Sequence, residues 1–132
     1  MKKDIQNRAD IELLVNSFYD KIKQDRQLGF IFNDIAKVNW STHLPVMYNF
    51  WENIIFHTGS YEGNPMNLHL HLHGIKRLNK EHFQQWILLF NNTVNSLFKG
   101  KNADLAKNRT ASIADIIMNK LLEQPNDDER IY

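Results

Sequence analysis

The sequence predicts an all-α fold, and three observations carry that expectation. Apolar residues recur at helical spacing in four separate stretches. Turn formers fall between or after those stretches: Gly29, then Gly59, Gly63, Asn64 and Pro65, then Pro125. One segment, Leu68-His69-Leu70-His71-Leu72-His73, alternates as a strand would, but a lone strand has nothing to pair with.

The first helix is read from Ile11, Leu14, Val15, Phe18, Tyr19 and Ile22, which share one face. Gly29 closes a turn after it. Phe30, Ile31 and Phe32 make a short apolar segment, and 33–38 is a connection. Trp40, Leu44, Met47, Trp51, Ile54 and Ile55 give the second stripe. Pro45 is tolerated in a first turn and costly further in, so this helix is expected to start near Ser41 or Thr42, either of which can cap it. A loop covers 58–65. The histidine run after it is expected to be a short helix or an irregular turn. Phe83, Trp86, Ile87, Phe90, Val94, Leu97 and Phe98 mark the third helix. Leu105, Ile113, Ile116, Ile117 and Leu121 mark the fourth, which stops before Pro125.

A chain of 132 residues reads as a single domain over 1–132, its core spanning about 11–123 and a polar, frayed tail at 124–132. A net charge of +1 favours neither nucleic acid nor an anionic membrane as partner. Cysteine is absent, which excludes disulfides, thiolate-bound zinc and thiol nucleophiles together. The basic start is followed by polar residues and no apolar run, so no signal peptide is expected. No stretch approaches a membrane span. The expected location is cytoplasmic.

Three of the six histidines lie in the alternating run. Neutral imidazole is the commonest ligand for a transition metal or a haem iron. His43 precedes Met47 by four residues, so the two share a helix face with Phe50 and Trp51. Phe18-Tyr19 puts a hydroxyl on the first helix's apolar face, and Trp86 puts an indole N–H on the third's. A histidine, a phenol and an indole directed into one apolar space, opposite a further histidine, form the layout of a haem pocket. Each polar hydrogen, once buried, needs an acceptor. His57 and His82 are expected at the surface. Lys76 and Arg77 are an ordinary solvated pair unless a haem edge lies beside them.

Read in order, Phe18-Tyr19-Asp20-Lys21-Ile22, Leu28-Gly29-Phe30-Ile31-Phe32-Asn33, Trp40 with His43, Asn49-Phe50-Trp51, Asn64-Pro65-Met66-Asn67-Leu68-His69-Leu70 and His82-Phe83-Gln84-Gln85-Trp86-Ile87-Leu88-Leu89-Phe90 resemble the truncated haemoglobins of the third group. The resemblance runs from about Ile11 to Leu121. It implies a shortened globin fold, with helices stacked two over two around haem b. It implies His69 as the proximal iron ligand, and Tyr19, His43 and Trp86, with Phe18 beside them, on the distal side. Met47, Phe50, Trp51 and Phe90 then touch porphyrin, and Lys76 and Arg77 meet its propionates. His71 and His73 are exposed or neighbour those propionates. Phe30 stands where the family has proline, and Gly74-Ile75-Lys76-Arg77 stands where relatives are often proline-rich.

Three function classes follow. The first is a haem protein that binds oxygen or another diatomic gas, with the second N–H of His69 held by a backbone carbonyl. The second is a haem enzyme using the same pocket, peroxidase-like or oxidising nitric oxide. The chain has no flavin or nicotinamide domain, so turnover requires a separate reductase. The third is a non-haem module in which His69, His71 and His73 bind zinc. Against it, residues i and i+2 of a helix do not share a face, and no carboxylate lies near the run.

Overall fold

Every regular element is helical among the described residues of a computed structural model, which are 2–35, 37–58 and 78–123. The order is α1 (Arg8–Gln24), α2 (Arg26–Gly29), a π-helical turn (Phe30–Ile35), α3 (Trp40–Phe56), α4 (Lys80–Leu97) and α5 (Lys101–Glu123). Helix α1 packs on α3 and α4, and α5 packs on α4 and α3. This is the expected all-α arrangement of two helices over two.

The stripe expected on α1 is its buried face. Ile11, Leu14 and Ile22 have no exposed surface, and Val15, Phe18 and Tyr19 are nearly as enclosed. Burying one such aliphatic or aromatic side chain contributes about 1.5–3 kcal/mol. That stripe therefore anchors the core far more strongly than any single cap. Asn7 starts the helix by accepting from Asp10 N at 3.0 Å. Asp25 ends it and caps α2, accepting from Gln27 N at 3.0 Å and Leu28 N at 2.9 Å. The other carboxylate oxygen of Asp25 accepts from Gln85 Nε2 at 2.8 Å, which ties α4 to this corner. Gly29 is required here, because a Cβ would collide with the carbonyl oxygen of Lys23.

Several boundaries depart from the sequence reading. Residues 30–35 wind on from α2 as a wide turn instead of leaving as a connection. Helix α3 begins at Trp40, capped by Asn39, whose side chain accepts from Thr42 N at 3.4 Å, so neither Ser41 nor Thr42 is the cap. Pro45 then lies in the second turn. Both Pro45 and Ser41 are exposed, so water can take the carbonyl that proline leaves without its donor. On α5 the buried face is Ala103, Ala106, Thr110, Ala114 and Ile117, whereas Ile116 is 53% exposed. Most of these are small residues, which a reading that weighs large apolar ones overlooks. His82 is buried rather than at the surface. It closes a reciprocal cap on α4: His82 N donates to Asn79 Oδ1, and Asn79 N donates to His82 Nδ1, each at 3.0 Å. His57 is exposed, in a left-handed conformation at the end of α3.

The first residues are also built into the fold. Ile5 is fully buried, and Asp4 caps the distant α5, accepting from Asn102 N and Ala103 N at 2.9 Å each. Gly100, at φ +148°, leaves room for this carboxylate, since a Cβ there would lie 2.5 Å from Asp4 Cγ. Burial pushes the Asp4 carboxyl up, but bonds from the backbone of Asn102, Ala103 and Ile5 outweigh it and hold it below the ordinary value of 3.8. Asp4→Ala is expected to cost about 0.5–2 kcal/mol, as other lost caps do. A depressed carboxyl stabilises the fold above its ordinary value and loses that contribution as pH falls through the lower folded one. The gap between wild type and Asp4→Ala should therefore close as denaturation curves are taken below about pH 4.

Candidate functional site

Four helices leave a small apolar cavity between them, of about 20 Å³. Its walls are Phe18 and Tyr19 from α1, Met47, Phe50 and Trp51 from α3, Trp86 and Phe90 from α4, and Ile113 from α5. The helical periods explain the convergence. Phe50 and Trp51 lie three and four residues after Met47, and Phe90 lies four after Trp86, so each set shares a face turned to the same space.

The rings form a continuous wall. Phe18 meets Phe90 edge-on at 5.1 Å and lies 6.3 Å from Trp86. Trp51 stacks on Phe90 at 5.1 Å, with planes 20° apart. Such pairs hold aromatic walls in fixed orientation beyond what their area burial supplies. Tyr19 lies 4.9 Å from Phe18 and meets the His43 ring edge-on at 5.2 Å. Burial pushes the Tyr19 phenol up from its ordinary value, so it keeps its O–H and is a hydrogen-bond donor at any working pH. His43 Nε2 and Trp86 Nε1 are both shut off from solvent. The site is thus an aromatic cavity with a phenol and an indole in its wall and an imidazole packed against the phenol.

Phe18, Tyr19, Met47, Phe50, Trp51, Trp86 and Phe90, all picked out from sequence, line this one cavity, and His43 packs on Tyr19. His69, Lys76 and Arg77 lie outside the described residues, as do His71, His73 and the tail from residue 124. One residue of the wall was not singled out: Ile113, whose signal was its place on the fourth stripe, four residues before Ile117. Trp40, which stands with His43 among the motifs of the family resemblance but has no site role assigned there, lies 5.3 Å from the Tyr19 ring and 5.8 Å from that of His43.

An apolar, aromatic-walled cavity suits a large flat apolar group, and donors in its wall suit a small polar ligand beside that group. Helices stacked two over two around such a cavity define a protein of the globin class. No family model matches the chain. The chain is 30% identical to the group 3 truncated hemoglobin ctb of Campylobacter jejuni subsp. jejuni, over 92% of its own length and 95% of that protein's. The crystal structure of the group III truncated hemoglobin from Campylobacter jejuni superposes with a TM-score of 0.78, again covering 92% of this chain and 95% of that one. The chain belongs to the third group of truncated haemoglobins, and so to the globin-type haem proteins. Among the described residues, no helix is long and apolar enough to cross a membrane.

Proposed function

We propose that the chain holds haem b in this cavity and binds a diatomic gas there, with His69 as the axial ligand of the iron. The observation that carries the reading is the convergence of Tyr19 and Trp86, from different helices, on an otherwise apolar space. Haem, when bound, would supply an iron able to take up a small ligand. The chain supplies the rest. His69 gives the neutral imidazole. Met47, Phe50, Trp51 and Phe90 exclude water from the porphyrin faces, and Lys76 and Arg77 pair with the propionates. The Tyr19 hydroxyl and the Trp86 indole donate hydrogen bonds to a ligand that takes partial negative charge. His43, packed on Tyr19, controls ligand entry on this reading. Membership of the haemoglobin family supports the same reading.

The absorption spectrum of the purified protein tests it. A strong near-ultraviolet haem band, shifting on reduction and again under carbon monoxide, is the expected result. No band after haem is supplied would refute the proposal. Haem that binds only the folded chain stabilises it by mass action, by about 2.7 kcal/mol at a hundredfold excess over Kd. The holoprotein should therefore melt roughly 10 °C above the apoprotein. Equal melting temperatures would exclude haem as the native group.

His43 should govern ligand entry more than retention. Replacing it with alanine is expected to raise the association rate for carbon monoxide. An unchanged association rate with much faster oxygen release would make His43 a stabilising donor instead.

A further inference from the structure

Trp40 sits just outside the cavity wall and is held on every side the structure describes. Its indole N–H donates to Asn33 Oδ1 at 3.0 Å. The Lys23 ammonium lies over its ring, 4.7 Å from the centroid. Phe32 stacks against it at 5.9 Å, with planes 16° apart. Asn33 in turn donates to the Lys23 carbonyl at 3.4 Å. These contacts come from the last turn of α1 and from the π-helical turn 30–35. Such wide turns are rare and often mark functional positions. The other side of the indole faces inward: His43 meets it at 75° and 5.8 Å, and Tyr19 lies 5.3 Å away. Trp40 and His43 are three residues apart on α3, so they share a face.

We propose that Trp40 is a positioning residue beside the cavity, latched by Asn33 and Lys23, and that this latch sets where the His43 imidazole rests against Tyr19. The proposal rests on the reading of the cavity as a haem and gas site. The rings of Tyr19, Trp40 and His43 form a triangle, and the imidazole rests against both of the others. To swing away from the cavity wall it must give up both ring contacts, and the Trp40 contact persists only while the indole is held. A latched indole keeps the imidazole in; a released one lets both rings turn. The α1 end and the π-helical turn thereby act on ligand entry without touching the ligand. Asn33 is exposed, so its removal should leave the core intact.

The test is a double-mutant cycle in the ferrous carbonyl protein, with association followed after flash photolysis. Asn33→Ala removes the acceptor. Trp40→Phe removes the N–H and keeps a ring against His43. Each is expected to raise the association rate about three- to tenfold, the worth of one ordinary hydrogen bond. The double variant should be no faster than the faster single one, because both break the same bond. The His43 ring nitrogen resonances of the full chain as purified should move in each variant. Wild-type rates, unmoved His43 resonances or fully additive effects would each overturn the latch. If the wild-type chain gave no haem band, the haem reading would fail on that result, and the His43 resonances would still decide whether Trp40 positions the imidazole.

Discussion

A His69→Ala variant is expected to lose its haem on gel filtration, while the same change at His71 or His73 leaves a stable holoprotein. The expectation comes from the register Asn64-Pro65-Met66-Asn67-Leu68-His69-Leu70. It has the largest effect foreseen for this chain, because on the proposed reading the His69 imidazole would be the bond between protein and iron. Packing against Met47, Phe50, Trp51 and Phe90 would remain, so some haem should associate at high concentration. It should lack the five-coordinate ferrous spectrum that a single strong imidazole ligand gives. Added free imidazole should restore part of that spectrum, since it fills the space the side chain left. Loss of haem from His71→Ala with retention in His69→Ala would show the register to be wrong by two residues.

Oxygen release from Tyr19→Phe should be roughly ten- to a hundredfold faster than from wild type. A hydrogen bond to a partly charged acceptor contributes about 1.5–3 kcal/mol, and stabilisation of the bound state is lost in the off-rate. The substitution removes one oxygen atom and keeps the ring that packs on Phe18, Trp40 and His43. A phenol pushed up by burial stays protonated across the accessible pH range, so this term should not vary with pH. Trp86→Phe should act in the same direction. On the proposed reading both donors serve one ligand, so the double variant should show less than the product of the single effects. Bound carbon monoxide carries less charge, and its release should change less. Wild-type oxygen off-rates in all three variants would reduce Tyr19 and Trp86 to core aromatics.

The helices were legible because their cause is local. Ile11, Leu14, Val15, Phe18, Tyr19 and Ile22 fall on one face by spacing alone, and that face is buried. The cavity was legible for a related reason. A histidine, a phenol and an indole on apolar faces are unusual enough to draw attention before any fold is known. What escaped were features whose partner is far away in the chain. Asp4 and Ile5 sit in a polar stretch with no period, and nothing nearby indicates that one caps a helix 98 residues on and the other is enclosed. His82 resembled any surface histidine until Asn79 was seen to share hydrogen bonds with it.

The sequence by itself determined that the chain is helical, where its long helices lie and which aromatic side chains meet at the cavity between them. Each of those follows from the order of residue types along a few turns, and the helical period carries it. The tertiary structure alone decided that α5 turns a face of alanines and Thr110 inward while Ile116 faces water, that Asp4 closes the end of α5, and that Asn33, Lys23 and Phe32 clasp Trp40 beside His43. The physical reason is the reach of the interactions. A stripe is set by neighbours three and four residues away, whereas these contacts join residues from separate elements, and their partners exist only once the helices have packed.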